Sequence, residues 1–443
     1  MKNFPLKICV GASMVAVFSF LNAVAEDVSS KTNSVVATTN SGPSITLDAL
    51  VTEALEKNPE LKFYEAELVA AKAGRKTAGV FPNPELNASL GRKTIQSGGD
   101  GVAWSASVMQ PFEWPGRIGL RKAIANRDVE LAELGLVRFQ TALANRVRLL
   151  TYTLFSAQEK AAVAREVADR FHGLSEVLVQ RDSAGITPEL EIRVIEATEL
   201  TMQSKASEAE LAKQSALLEL NQLRGQPPET ELTIVPPQIA FAAPETSDVW
   251  LTQARTNNFE LRVRAIELKQ QGFRVDLAKN ERHPTISVGP SISEERAGSP
   301  ERIVGIGVSL PLPLWNRNTG NIEAAKARQV QAQVSYDVTQ REIERKVLEA
   351  AAIYRTKLAE MSKWHPNAVE KFRSAAELAD RHYRLGAVPI STYLELQKQY
   401  LEAVESLLDT KKDALDAAQT LKLLTGSDQS LAETKFNEEK KND

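Results

Sequence analysis

A mainly helical fold carrying a short antiparallel β part is what this chain predicts, and three features of its sequence carry that expectation. Apolar residues recur at heptad spacing through the proline-free stretch 117–182, which is too long a helix for an ordinary globular domain. Four short segments change to strict alternation of apolar with small or polar residues, the period of a strand. The chain also matches itself at a shift of 200 residues, so the pattern of one half is expected again in the other.

The first 25 residues carry an address. Lys2 and Lys7 precede an apolar run, 8–21, and Ala23-Val24-Ala25 supplies a small-residue cleavage site, so 1–25 is expected to be a secretory signal peptide. Its apolar run is shorter than the ~20 residues a spanning helix needs. Residues 26–44 are polar and aperiodic and are expected to be flexible. No later stretch is apolar for long enough to span a bilayer as a helix, so an exported chain either stays soluble or crosses a membrane with strands.

The first repeat is expected over 45–225. A helix over 46–80 presents Leu47, Leu50, Ala54, Leu61, Leu68 and Ala71 on one face and stops at Pro82-Asn83-Pro84. Leu86, Ala88 and Leu90 then alternate with Asn87, Ser89 and Gly91, and Val102, Trp104, Ala106 and Val108 alternate with Ala103, Ser105 and Ser107. Gly98-Gly99-Asp100 turns the chain between these two strands. The long helix 117–182 places Leu136, Leu143, Leu150, Ala157, Ala164, Phe171 and Leu178 in one stripe and reaches roughly 100 Å at 1.5 Å per residue. A tight turn with Gly185 as left-handed cap and Pro188 opening the return leads into a helix over 189–224.

Five prolines make 226–245 a connector. The second repeat, 246–426, brings strands through Ile286, Val288 and Ile292 and through Val304, Ile306, Val308 and Leu310. A helix over 318–385 follows, kinked at Pro366, then a turn at Gly386 and Pro389 and a last helix over 390–425. The matches between halves collect where backbone is most constrained: Pro84 with Pro284, Pro111 with Pro311, Arg117 with Arg317, Gly225 with Gly426. The tail, 427–443, is polar and is expected to be flexible.

Composition excludes several classes. Fifty-four Lys and Arg against 57 Asp and Glu leave no positive excess, so no nucleic-acid partner is expected. Cys9 is the single cysteine and His172, His283, His365 and His382 are scattered, so neither a metal site nor a cofactor is expected. Walker, zincin and nucleophile-elbow motifs are missing, and an enzyme is not expected.

Four strands of barrel length cannot close a barrel, and open edges in lipid leave backbone groups unpaired, so copies must be recruited. Eight strands would enclose a filled interior, whereas twelve leave a lumen, which points to a homotrimer with a 12-stranded barrel. Phe81, Phe112, Trp114 and Trp315 fall just outside strand ends on the helical side, where an interfacial belt would lie.

The segment Gln110-Pro111-Phe112-Glu113-Trp114-Pro115-Gly116-Arg117, its counterpart 310–320, and the strand pairs between long helices resemble the TolC-type outer-membrane efflux proteins. Pro313-Leu314-Trp315-Asn316-Arg317-Asn318 is similar to their CzcC-like branch, which serves cation efflux pumps of the resistance-nodulation-division (RND) class. The resemblance implies a passive trimeric duct in the outer membrane of a Gram-negative cell, with an α-barrel of long helical hairpins in the periplasm. A periplasmic adaptor (membrane fusion protein) would join it to an inner-membrane RND pump, and the exported substrate would be heavy-metal cations. It further implies that the hairpin tips touch the adaptor, here at Arg181, Gly185, Pro188, Arg384, Gly386 and Pro389. Tyr383 matches a tyrosine that helps hold the tip shut, while Val388 stands where its arginine partner would be. Thr392 and Glu395 occupy the places of two inward-facing aspartates, leaving one carboxylate. Three copies of Glu395 would concentrate cations in a narrow throat; the plainer reading of Glu395 is a solvated charge in a helix's first turns, stabilised by the helix dipole. Two other readings remain open: a soluble periplasmic coiled-coil scaffold or adaptor, and a duct for drugs or other small molecules.

Overall fold

The structure is a computed structural model that describes residues 46–95, 99–182, 189–232, 234, 239–297, 299–364 and 367–427. The expected leader, the 26–44 segment, the tail beyond Ser427, Gly185, Pro188 and Pro366 lie outside the described residues.

The expected helix over 46–80 is two helices, α1 (Leu47–Lys57) and α2 (Leu61–Ala78). Asn58 precedes Pro59, and a proline pushes the residue before it out of the helical region; Asn58 has ψ 122°. Its side chain then serves both sides of the break. Oδ1 accepts from the Glu60 amide at 2.9 Å, and Nδ2 donates to the Leu223 carbonyl at 2.9 Å. A second break, between α5 (Ser247–Asn257) and α6 (Phe259–Asn280), has no proline. There Asn258 alone does the work: it accepts from the Glu260 and Leu261 amides and donates to the Leu424 carbonyl at 2.9 Å. The buried asparagine is therefore the common cause, and it anchors each helix pair to the end of a long return helix.

The long helices follow the stripe read in the sequence. After β1 (Glu85–Ile95) and β2 (Gly99–Phe112), α3 runs Arg117–Asp182 and α4 runs Glu189–Leu223. Leu136, Leu143, Leu150, Ala157, Ala164 and Phe171 are all buried along α3. Beyond β3 (Ile286–Glu295) and β4 (Glu301–Ser309), the expected kinked helix 318–385 is instead two, α7 (Thr319–Lys363) and α8 (Ala368–Arg384). Trp364 has already turned extended, ψ 128°, two residues before a proline whose missing amide cannot continue the ladder. The final helix, α9, spans Ile390–Thr425 as expected.

Both α4 and α9 end on a glycine with positive φ, Gly225 at 65° and Gly426 at 64°. A Cβ on Gly225 would lie 2.8 Å from the Lys57 carbonyl oxygen, and one on Gly426 2.6 Å from that of Asn257. The left-handed cap and the close approach both require glycine, and both bring the return helix against the asparagine break.

The strands form one antiparallel meander in the order β1-β2-β3-β4, with β2 pairing β3. Helix packing follows the same order: α3 lies against α2 and α6, and α6 lies against α3 and α7. Three apolar clusters fill the helical body, one around α1, α2, α3 and α4, one around α3, α4, α8 and α9, and one around α5, α7 and α9.

Replacing Asn258 with leucine strands the Leu424 carbonyl and two amides at a buried site. We expect a loss of ~1–3 kcal/mol, read as a lower unfolding midpoint by circular dichroism of the detergent-solubilised protein. An unchanged midpoint would show that the break does not depend on this side chain.

Candidate functional site

The sheet has two chemically different faces. Cross-strand pairs Leu86 with Val108, Leu90 with Trp104, Ala106 with Ile292, Pro290 with Ile306 and Ile292 with Val304 put apolar side chains in continuous rows on one side. Leu90 is 81% exposed and Ile306 80%. Among the described residues no helix covers this face, which exceeds what a water-facing sheet tolerates. The opposite face carries Asn87, Ser89, Ser105, Ser107, Ser291, Ser293, Gly305 and Gly307, with Ser89 and Ser105 hydroxyls 2.8 Å apart. Among the described residues no helix is long and apolar enough to cross a membrane. The strands run nine to fourteen residues each, enough for a tilted span.

A single buried side chain locks the sheet to the helices. Arg117, the first residue of α3, reaches across to the corner between α6 and β3. Its Nε donates to Asn280 Oδ1 at 3.0 Å, Nη1 to the Thr285 hydroxyl at 3.1 Å, and Nη2 to the Asn280 and His283 carbonyls at 3.1 and 2.6 Å. Asn280 returns a bond to the Pro115 carbonyl at 3.0 Å. Sequence reading aligned Arg117 with Arg317 but gave it no role; a lone arginine among hydrophobic strand ends was the available signal. Around this corner Phe81, Trp114 and Trp315 are exposed and lie outside the strands. Phe112 differs: it is the last residue of β2, paired with Ile286. Trp114 stacks on the His283 ring, with centroids 4.4 Å apart.

At the far end, α8 and α9 meet in a turn built on Gly386, φ 74°. The Gly386 amide donates to the Tyr383 carbonyl at 2.9 Å and the Ala387 amide to that of His382 at 2.8 Å, the paired bonds of a glycine-terminated helix. Pro389 caps α9. Tyr383 stacks on Tyr393 at 5.2 Å, and Tyr393 meets Phe171 edge-on at 5.5 Å. Tyr393 is fully buried, and burial raises its hydroxyl pKa above the ordinary tyrosine value. Thr392 and Glu395 lie on the opposite, exposed side of α9, where Glu395 accepts from Gln399 at 2.7 Å. Arg384 pairs with Asp380 at 2.9 Å. The backbone of Arg181 lies in the last turn of α3; its side chain and Gly185 and Pro188 are outside the described residues.

Sequence reading missed the polar joint behind this tip. Arg170 on α3 donates to Gln397 on α9 at 3.2 Å and to Glu166 at 2.6 Å, and Glu166 lies 3.8 Å from Arg373 on α8. Gln397 is fully buried and donates to the Ala376 carbonyl at 2.8 Å. The signal was a glutamine set between Tyr393 and Tyr400 on the buried face of α9. Among the described residues no cluster of three His, Cys, Asp or Glu could hold a metal ion.

The sequence profile of the family described as "Outer membrane efflux protein" matches residues 50–226 and 250–427. The chain belongs to that family. Among relatives of this efflux protein is the cobalt-zinc-cadmium resistance protein CzcC of Cupriavidus metallidurans, 24% identical over 87% of this chain and 90% of that one. The pyoverdine export outer membrane protein OpmQ of Pseudomonas aeruginosa is 23% identical over 84% and 83%. The outer-membrane channel OprN superposes with a TM-score of 0.72 at 20% identity, covering 86% of this chain and 90% of that chain. Members of this efflux family are outer-membrane channels of Gram-negative bacteria and not enzymes, so the apolar sheet face is the lipid face and the helices lie on the periplasmic side.

Arg117→Ala leaves two backbone carbonyls, the Asn280 amide oxygen and a hydroxyl without this donor, and we expect it to cost at least ~2 kcal/mol. Arg117→Lys should recover less than half, because one ammonium cannot span the four acceptors that a guanidinium reaches. Thermal unfolding in detergent reads both; lysine restoring the wild-type midpoint would contradict the clasp.

Proposed function

We propose that this efflux protein is the outer-membrane duct of a tripartite RND-type system, a passive homotrimeric channel that exports heavy-metal cations. A periplasmic adaptor would dock at the tips, and an inner-membrane pump would supply the energy. The observation that carries the trimer is a shortage on both flanks. β1 and β4 have open edges, and the helices at the two flanks are packed from one side only: α2 lies against α3, and α7 lies against α6 and α9. The missing contacts leave Phe63 and Val69 exposed on α2 and Val330, Val334 and Val338 exposed on α7. Pairing the β4 edge of one copy with the β1 edge of the next lets successive copies close a ring; three supply twelve strands, enough for a lumen.

The repeat read in the sequence names a contact in that ring. Arg317 stands two residues before α7, much as Arg117 opens α3, and Glu85 matches Thr285. Both Arg317 and Glu85 are exposed, and neither side chain has a hydrogen-bond or ion-pair partner among the described residues. Arg317 of one copy therefore enters the 80–85 corner of the next, with a carboxylate in place of the threonine hydroxyl.

Support for cations as substrate comes from the likeness to CzcC, a cobalt-zinc-cadmium resistance protein by name. OpmQ, named for pyoverdine export, favours a duct for small organic molecules as the second reading. In the trimer Glu395 on the exposed side of α9 would form a three-carboxylate ring in the throat, and Tyr383 would brace it through Tyr393.

Two experiments test these readings. Beyond Cys9 the chain has no cysteine, so Glu85→Cys with Arg317→Cys should yield a trimer ladder with a short bismaleimide, while either single change gives monomer only. A natively folded monomer in detergent would end the trimer; trimers without the ladder would end only the corner contact. A deletion strain should lose growth on zinc, cobalt or cadmium, with Glu395→Gln restoring it only in part. Sensitivity to hydrophobic drugs alone would favour the second reading.

A further inference from the structure

The apolar rows of the lipid face end in arginines. Arg92 on β1 stands opposite Val102, Arg302 on β4 opposite Glu294, and Glu294 opposite Trp104. The Arg296 amide donates to the Val102 carbonyl at 3.0 Å, which sets Arg296 between them just past β3. These positions continue the rows of Leu86, Leu90, Val304 and Ile306, so the three guanidiniums stand on the lipid side. They lie at the strand ends remote from the helices, the outer rim of the membrane span.

The cluster is built around one buried acid. The Glu294 side chain is 8% exposed; its Oε1 accepts from Arg296 Nε at 2.6 Å and its Oε2 from Arg302 Nη2 at 3.2 Å. Arg92 pairs with Asp100 at 2.5 Å. Each guanidinium has five donors, so most remain free, and the three side chains are 74%, 66% and 65% exposed for Arg92, Arg296 and Arg302. The outward rim thus holds three cations to two anions. On the opposite face of the same strand ends the balance reverses: Lys93 pairs with Glu295, which stands opposite Glu301. Positive charge is placed selectively on the lipid side, and as arginine, whose planar fork matches phosphate oxygens in pairs.

We propose that Arg92, Arg296 and Arg302 bind the phosphate of a membrane lipid in the outer leaflet, with Glu294 as the positioning residue that aims two of the three forks. At this height the face is covered by lipid headgroups, which makes a lipid phosphate the occupant and not a dissolved anion. Trp104 lies directly below, where an interfacial indole packs against the acyl chain of the same lipid.

The test uses the full detergent-solubilised protein in neutral maltoside, titrated with short-chain phosphatidic acid, short-chain phosphatidylcholine or inorganic phosphate, with lipid adducts counted by native mass spectrometry. Phosphatidic acid should bind the wild type about tenfold more tightly than it binds the R92Q/R296Q/R302Q variant, the loss expected for charge-assisted hydrogen bonds. Phosphatidylcholine should not separate the two proteins, and Lys93→Gln on the inner face should bind as wild type. Arg92→Gln alone, which leaves the Glu294 pairings intact, should still weaken binding and serves if the triple variant does not fold. Equal binding of phosphatidic acid to wild type and variants overturns the proposal, as does inorganic phosphate competing at equal concentration, which would mark a site for free anions.

Discussion

The backbone amides and carbonyls along β1 and β4 govern the design of this molecule. In lipid no water replaces a missing strand, so an exposed edge costs several kcal/mol for every unpaired group. Four strands cannot satisfy their own edges, and the same deficit is written into the helices, where α2 and α7 end the row that α3 and α6 continue. The chain's surface is apolar on the outward sheet face and along both flanks, where exposed valines and a phenylalanine line α7 and α2. The opposite sheet face carries small or polar residues.

Much of this was legible because the constraint acts on local sequence. Strand alternation and the heptad stripe placed the four strands and the 66-residue helix, since lipid and core each demand a fixed period. α1 and α7 stop before Pro59 and Pro366, where the apolar pattern ran on, whereas the turn at Gly386 and Pro389 was legible from its glycine and proline. The breaks at Asn58 and Asn258 were not, because an asparagine in a helical pattern signals nothing until the Leu223 and Leu424 carbonyls arrive from 165 residues or more away in the chain.

The candidate site divided in the same way. Arg384, Gly386 and Pro389 were placed by the turn itself, and the structure sets them in it. The Arg117 clasp and the Arg170–Gln397 joint escaped, since each joins elements far apart in sequence and uses residue types that are common on surfaces. Tyr383 was noted for its position, but its stacking on Tyr393 depends on how α8 and α9 cross, a tertiary fact.

The clasp has a mechanical meaning. Arg117 begins a helix in one half of the chain and grips the strand corner of the other, so the two halves share one rivet where membrane and periplasm meet. Torque applied at the distant hairpins cannot be relieved by sliding at that seam. It must be absorbed along the length of the helical columns, which makes the joint between sheet and helices the stiff end of the molecule.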